Sequence, residues 1–136
     1  MELRLRIDWS ELDALGHVNN LQIMKYVQSA RVNYLDKVDL LEMHADGKIG
    51  VILASIHTQF LKPLFFPGDV AVFSRIEYVK TSSFKLLHEI YNDKNELVAE
   101  ATDILVMYDY HKGHKVPVPD VLRKKFEELE KRILNL

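Results

Sequence analysis

Hydrophobic and polar residues alternate at the start of the chain and then change period. Residues 3–9, LRLRIDW, alternate apolar with polar positions, which is typical of a half-buried strand. From about Asn20 to Lys37 the apolar residues recur at intervals of three and four, which predicts a helix with one apolar face. That face comprises Ile23, Val27, Ala30 and Tyr34, and it is widened by Met24, Tyr26 and Leu35. A face this wide predicts a helix enclosed by other elements.

Four strand-like runs follow the helix, after the turn-like segment HADGK at 44–48. They cover roughly residues 50–62, 69–80, 83–91 and 96–108. Their separators, LFFPGD, TSS and NDKN, are short and rich in turn-forming residues, which favours antiparallel neighbours. VPVPD then breaks the chain before a last helix over about 120–134. The apolar positions of that helix are Leu122, Phe126, Leu129 and Ile133.

The order of strand, long helix, four strands and helix indicates an α+β fold. We expect a curved antiparallel sheet wrapped around the long helix, with an additional C-terminal helix. One helix cannot cover both the face and the edges of such a sheet. We therefore expect a homo-oligomer that forms through an edge strand.

Length and composition restrict the class of protein. At 136 residues the chain is predicted to be one domain, 1–136, with 48% hydrophobic and 28% charged residues, as in an ordinary soluble protein. Its 18 basic and 20 acidic side chains argue against a nucleic-acid partner. No cysteine is present, which excludes disulfides and thiolate chemistry. Because the N-terminus carries charges and no apolar run could cross a bilayer, we expect a cytoplasmic protein without a membrane partner.

The most informative stretch is DALGHVNN at 13–20, between the first strand and the long helix. Asn19 is predicted to be the N-cap of the helix, and Gln22 three residues later suggests a capping box. Capping leaves other first-turn N–H groups free to stabilise an anion at the positive end of the helix dipole. Gly16 would allow close approach of a ligand, and Asp13 is near enough to fold back over the helix end. This combination suits hydrolysis of an activated acyl group.

The motif D-x-x-G-H-V-N-N, followed by a helix containing Y…AR…YL, resembles hotdog-fold thioesterases of the 4-hydroxybenzoyl-CoA thioesterase type. KPLFFPGD and KTSSF, between later strands, are also similar to that family. The resemblance implies hydrolysis of acyl-CoA, with Asp13 as nucleophile or general base and a backbone N–H at Asn20 as the oxyanion donor. It also implies a dimer or a dimer of dimers whose active sites lie at the subunit interface.

The other candidate site residues are indicated by less specific patterns. The stretch is similar to D-x-N-x-H-V-N-N of plant acyl-carrier-protein thioesterases, which suggests a catalytic role for His17, but Leu15 stands where those enzymes have asparagine. His57 and Thr58 are polar positions late in the second strand that could contribute to a partner's site. The resemblance implies that Lys80 meets the nucleotide of CoA. His88 is interpreted as a sheet residue, and the remaining histidines, His44, His111 and His114, as loop residues.

The residue pattern leaves several functions open. No HExxH or comparable arrangement occurs, so we expect neither a metal nor a cofactor other than CoA as part of the substrate. An acyl-carrier-protein thioesterase, a dehydratase of the same fold and a non-catalytic acyl-CoA-binding scaffold are the alternatives. The identity of the acyl group is not determined by the sequence.

Overall fold

The computed structural model describes residues 1–45 and 48–134, and it contains six strands and three helices in those ranges. In chain order they are β1 (Glu2–Arg6), α1 (Asn20–Lys37), α2 (Leu40–Ala45), β2 (Ile49–Phe60), β3 (Asp69–Val79), β4 (Ser83–Tyr91), β5 (Leu97–Asp109), β6 (His114–Lys115) and α3 (Asp120–Leu134). None of the helices in the described ranges is long and apolar enough to span a bilayer.

The strands form one antiparallel sheet in the order β1-β3-β4-β5-β2, and β6 pairs with the end of β5. β1 and β2 are therefore the edge strands. Register shifts occur between Leu53 and Ser55 on β2 and between Ile76 and Tyr78 on β3. Such irregularities bend a strand and increase the local twist, so they help the sheet to curve.

Helix α1 lies on the concave face of the sheet, as its period predicts. The four residues of the predicted apolar face, together with Tyr26 and Leu35, are buried, whereas Met24 is half-buried. Two apolar clusters form the core, one around the first half of α1 and one around its second half. Helix α3 closes the second cluster, where Phe126 packs against Tyr34 and Phe84. The predicted arrangement of a curved sheet around a long helix is confirmed.

Three local predictions were wrong. β1 ends at Arg6 rather than at position 9, because Asp8 caps a single 3-10 turn at Trp9–Glu11. The cap is reciprocal, since Asp8 Oδ1 accepts from Ser10 N–H and Glu11 Oε1 accepts from Asp8 N–H. His44 lies in α2 and His114 in β6, not in loops. Of the predicted HADGK turn, residues 46–47 lie outside the described part of the chain.

Candidate active site

The DALGHVNN loop folds around the carboxylate of Asp13. Asp13 Oδ1 accepts hydrogen bonds from the N–H groups of Leu15 at 2.8 Å and His17 at 3.2 Å. The backbone of Asp13 donates to His17 O at 2.7 Å and accepts from Gly16 N–H at 3.2 Å. Gly16 has a φ of +83°, which a residue with a Cβ atom rarely adopts. One carboxylate oxygen therefore holds the turn, and Oδ2 accepts no hydrogen bond from any described residue.

Glu11 connects this loop to α1. Its carbonyl accepts from Asn19 N–H at 2.8 Å, and its Oε1 accepts from the hydroxyl of Tyr26 at 2.7 Å. Burial of the Tyr26 hydroxyl, together with the hydrogen bond and charge of Glu11, raises the pKa of Tyr26 above its ordinary value. Tyr26 thus remains a hydrogen-bond donor at neutral pH. On the other side of the loop, Val18 N–H donates to Leu64 O at 2.8 Å.

The first turn of α1 leaves one backbone donor free. Asn19 is the N-cap, and its side chain accepts from Leu21 N–H at 2.9 Å. The N–H groups of Gln22 and Ile23 donate to the carbonyl of Asn19. Asn20 N–H donates to no acceptor in the described residues. The predicted capping box does not form, because the N–H of Asn19 is bound to Glu11 rather than to the side chain of Gln22.

A cavity of about 230 Å³ opens beside this free donor. Its walls are His17, Val18, Asn20, Ile23, Phe60, Leu61, Lys62, Pro63 and Leu64. The His17 ring packs edge-on against Phe65, with 5.1 Å between the ring centroids. Asp13 is not part of the wall, and its carboxylate lies in the turn that leads to His17. One chain thus brings His17 and Asn20 to the cavity and holds Asp13 in the adjoining loop.

The three remaining predicted residues lie farther away. Thr58 faces α1, where its hydroxyl donates to Met24 Sδ at 3.1 Å. His57 is exposed and pairs with Thr102, so its side chain projects from the opposite face of the sheet. Lys80 follows the end of β3 that is remote from the loop, and its Nζ lies 4.7 Å from the ring centroid of Tyr78. A single chain therefore does not bring His57 or Lys80 to the cavity.

A second group of polar residues crosses the core between the two apolar clusters. Ser74 Oγ lies 2.7 Å from His88 Nδ1, and His88 Nε2 lies 2.7 Å from Asp103 Oδ2. The Nε of Arg31 donates to the same Asp103 oxygen at 2.8 Å. Burial by itself would raise the pKa of Asp103, but its hydrogen bonds with His88 and Arg31 outweigh burial and hold that pKa below its ordinary value. We call these four residues the buried polar row.

The sequence pattern predicted His88 as a sheet residue but did not indicate the rest of the buried polar row. The sequence does contain a signal for the row. Each of its four residues is polar and stands at a position where the periodicity of its strand or helix predicts an inward, apolar side chain. Ser74 is only 3% exposed, and His88 and Asp103 are 0% exposed. A bulky substrate cannot reach a hydroxyl so enclosed. Despite its residue types, the row is not a site for nucleophilic attack.

The described residues contain no cluster of three or more histidine, aspartate or glutamate side chains that could hold a metal ion. The reactive groups near the cavity are a carboxylate, an imidazole and a free backbone donor. They can bind a carbonyl oxygen, deliver or activate a nucleophile and exclude water. The expectation that the protein uses neither a metal nor a separate cofactor stays a prediction from its sequence.

Comparison with known proteins identifies the family. A family model described as the thioesterase-like superfamily matches residues 7–126. The long-chain acyl-CoA thioesterase FadM of Escherichia coli is 21% identical over 96% of this chain and 100% of its own. A chloroplastic acyl-acyl carrier protein thioesterase of Arabidopsis thaliana is 29% identical over 92% of this chain and 66% of its own.

A solved structure has the same fold. It is a thioesterase from Thermus thermophilus complexed with coenzyme A and zinc, 25% identical, with a TM-score of 0.83. The match covers 96% of this chain and 93% of that chain. Since the family model covers nearly all of the sequence, this chain belongs to the thioesterase-like superfamily and has the hotdog fold.

Proposed function

We propose that this protein hydrolyses acyl-CoA thioesters to a carboxylic acid and CoA, using Asp13 and the backbone N–H of Asn20. The observation that carries the proposal is the free donor of Asn20 beside a cavity with both apolar and polar wall residues. Asn20 is the first residue of an 18-residue helix, so its N–H lies at the positive end of the helix dipole. A fixed donor at that place stabilises the oxyanion that develops on an attacked carbonyl.

Membership of the superfamily makes the chain a thioester hydrolase. CoA as the carrier is supported by the name of the Escherichia coli relative and by the coenzyme A in the Thermus thermophilus structure. The narrower assignment to the 4-hydroxybenzoyl-CoA thioesterase type belongs to this proposal, and a cytoplasmic location stays a prediction.

The chemistry requires little acid assistance. A thiol ionises near pKa ~8.5, so the thiolate of CoA is a good leaving group. Asp13 can attack the carbonyl through Oδ2, expelling the thiolate and forming a mixed anhydride that water then cleaves. Alternatively, it can accept a proton from a water molecule that attacks the carbonyl. In the anhydride route the C–S bond breaks as the bond to Asp13 Oδ2 forms, and water then breaks that bond and regenerates the carboxylate. In the second route the oxygen of water forms the new C–O bond directly as the C–S bond breaks. Either route consumes one water, whose protons go to the thiolate of CoA and to solvent.

The loop residues have supporting roles in this proposal. Asn19 holds the first turn so that Asn20 N–H stays directed at the substrate. Gly16 allows the turn that keeps Asp13 Oδ2 free of backbone donors. His17 forms part of the cavity wall, where its ring can contact the thioester.

We include a second copy of the chain in the proposal. β2 is a 12-residue edge strand with Ile52, Leu53 and Phe60 exposed, which suits pairing with another copy. Since a single chain keeps His57 and Lys80 away from the cavity, they would act at a neighbouring subunit's site, His57 as a wall residue and Lys80 on the CoA phosphates. The assembly is a dimer or a dimer of dimers.

The test compares wild type, Asp13→Asn and Asp36→Asn on a panel of acyl-CoA substrates. Asp36 is an exposed acid at the other end of α1, which makes Asp36→Asn a matched control. We expect Asp13→Asn to lower turnover by about 10²–10⁴-fold, the range of a lost general base, and Asp36→Asn to be unchanged. Equal activity of the Asp13→Asn variant and wild type would disprove the role of Asp13. Saturable binding without thiol release would instead identify a non-catalytic scaffold.

An acyl-carrier-protein thioesterase is the second candidate, and the likeness to the Arabidopsis thaliana enzyme favours it. Leu15 argues against it, because it occupies the position of the asparagine in the plant motif and is 80% exposed. Rates on CoA and on acyl carrier protein bearing the same acyl group distinguish the two carriers.

A further inference from the structure

We propose that Glu11 and Tyr26 are positioning residues for the hydrolysis: their hydrogen bond holds the loop that carries Asp13 against the helix that carries Asn20. Neither Glu11 nor Tyr26 is part of the cavity wall, so both act through the groups that they hold. The inference rests on the proposed function, because it concerns the alignment of the two groups that act there.

Glu11 binds α1 at two points. Its carboxylate oxygen Oε1 accepts from the hydroxyl of Tyr26 at 2.7 Å, and its carbonyl oxygen accepts from Asn19 N–H at 2.8 Å. Asn19 is the N-cap and Tyr26 lies in the second turn, so the two points are about 10 Å apart along the helix axis. A single contact would let the 3-10 turn at Trp9–Glu11 pivot on the helix, whereas two contacts at this separation fix its orientation.

The same carboxylate also orders the turn from which the loop departs. Asp8 N–H donates to Glu11 Oε1 at 2.7 Å, so the oxygen that binds Tyr26 is itself held by the backbone. Tyr26 is 4% exposed and Glu11 is half-buried. A tyrosine hydroxyl so enclosed costs free energy unless it keeps its acceptor, which favours one position of Glu11.

On one side, the position of Glu11 determines that of Asp13. Only Leu12 separates the two residues, and Leu12 forms an antiparallel bridge with Val18 on the returning side of the loop. Asp13 N–H donates to His17 O at 2.7 Å, which closes the loop beyond that bridge. A displacement of Glu11 is therefore transmitted to the carboxylate of Asp13.

On the other side, Glu11 holds the residue before the free donor. Its carbonyl binds Asn19 N–H, and the next N–H along the chain is that of Asn20. Loss of the Tyr26 hydrogen bond leaves Glu11 attached to α1 at Asn19 alone, so the loop can rotate about the helix end. A misplacement of about 1 Å between reacting groups can lower the rate about 10²-fold.

The same helix carries a matched pair away from the loop. The hydroxyl of Tyr34 donates to Glu130 Oε1, and that oxygen also accepts from Ile76 N–H at 2.8 Å. Tyr34 is buried like Tyr26, and it lies about 12 Å farther along the helix axis. Replacement of either tyrosine by phenylalanine therefore removes a comparable hydrogen bond, but only the bond of Tyr26 reaches the loop.

The experiment measures kcat, KM and Tm of wild type, Tyr26→Phe and Tyr34→Phe with an acyl-CoA substrate. Both variants should lower Tm by several degrees, because each loses the hydrogen bond of a buried hydroxyl. Tyr26→Phe should lower kcat about 10–10²-fold and keep KM within about twofold of wild type, as expected for groups that are aligned only in the transition state. Tyr34→Phe should keep both kcat and KM within about twofold of wild type, because its hydrogen bond does not reach the loop.

Variants of Glu11 distinguish positioning from direct catalysis. Glu11→Gln keeps an oxygen that can accept from Tyr26 and should retain at least about a third of the wild-type kcat, whereas Glu11→Ala should lose at least as much as Tyr26→Phe. The double variant should be no slower than Glu11→Ala, because both substitutions remove the same hydrogen bond. If the two losses multiplied, or if Glu11→Gln were as slow as Glu11→Ala, the positioning role would be wrong.

The two proposals fail in different ways. If wild type and every variant hydrolyse no acyl-CoA, the proposed function is wrong and the positioning role with it. If wild type is active, Asp13→Asn is not, and Tyr26→Phe behaves as Tyr34→Phe does, only the positioning role is wrong. A rise in KM without a fall in kcat in Tyr26→Phe also contradicts that role, since the pair would then serve substrate binding alone.

Discussion

Two polar groups of the molecule contain similar residues and differ in accessibility. The DALGHVNN loop carries an aspartate and a histidine at the surface end of α1. The buried polar row, Ser74, His88, Asp103 and Arg31, carries a serine, a histidine and an aspartate in hydrogen-bonding order. By residue type alone, the row is the more conventional hydrolase site. Its three sheet residues are at most 3% exposed, whereas Asp13 and His17 are half-buried.

The comparison shows that access to unused hydrogen-bonding capacity, rather than residue type, distinguishes a reactive site from a structural one. In the row, each side chain is hydrogen-bonded to another member, and Asp103 Oδ1, which has no partner in the described ranges, is buried beyond the reach of a substrate. In the loop, Asp13 Oδ2 and Asn20 N–H have no partner among the described residues. The row also separates two apolar clusters and ties α1 to β5 through Arg31. A polar contact at one point in an apolar core favours one register over its neighbours, and we expect the row to fix α1 on the sheet.

The largest expected loss of stability follows from Asp103→Asn. It removes the carboxylate that pairs with Arg31, whose side chain is only 11% exposed, and leaves an uncompensated buried cation. Breaking a buried pair in this way typically costs about 3–5 kcal/mol in the free energy of unfolding. Urea denaturation measures this loss of stability. Turnover per folded molecule should stay within about twofold of wild type, because the substitution leaves the residues of the DALGHVNN loop unchanged.

Glu100→Gln is the matched control for Asp103→Asn. Glu100 is half-buried on the same strand and projects from the opposite face, so its neutralisation should change stability by no more than about 0.5 kcal/mol. A comparable loss in both variants would show that strand β5, and not the buried polar row, is sensitive to charge.

The stability difference between wild type and Asp103→Asn should also depend on pH. The pKa of Asp103 is lowered in the folded protein, so its carboxylate contributes stability above the pKa of the unfolded chain, about 3.9. That contribution is lost as the pH falls through the lower folded pKa. Unfolding free energies measured from pH 7 to pH 3 should therefore converge below about pH 4. A constant difference would contradict a charged Asp103.

The loop and the buried polar row also differ in how far the sequence predicted them. The period of apolar residues and the cap at Asn19 placed both ends of α1 correctly, and each strand from β2 to β5 was located within two residues. These features depend on local spacing. The row joins residues far apart in the chain, so it becomes visible only when strand order and register are known. For the same reason the sequence could not tell that His57 projects from the outer face.

A smaller loss of stability is expected from Ser74→Ala. The variant leaves His88 Nδ1 without its buried partner, which should cost about 1–3 kcal/mol of stability. Activity per folded molecule should be unchanged, because the hydroxyl is sealed from substrate. A loss of turnover comparable with that of Asp13→Asn would mean that the row opens and takes part in catalysis, and it would remove the distinction between the two groups.

The smallest effect on stability, and the most specific, concerns Asn19. Asn19→Ala removes the acceptor for Leu21 N–H and should destabilise the protein by about 1 kcal/mol, as N-cap losses do.

Asn19→Asp keeps the acceptor and should preserve stability, because a negative charge is favourable at a helix N-terminus. The same charge lies beside the oxyanion proposed at Asn20, and two like charges about 4 Å apart repel by about 1 kcal/mol even in water, so turnover should fall at least about fivefold. Thermal unfolding and kcat measured on both variants separate the two effects. If Asn19→Asp were as active as wild type, the oxyanion would have to bind elsewhere, and the free donor of Asn20 would be a feature of helix capping alone.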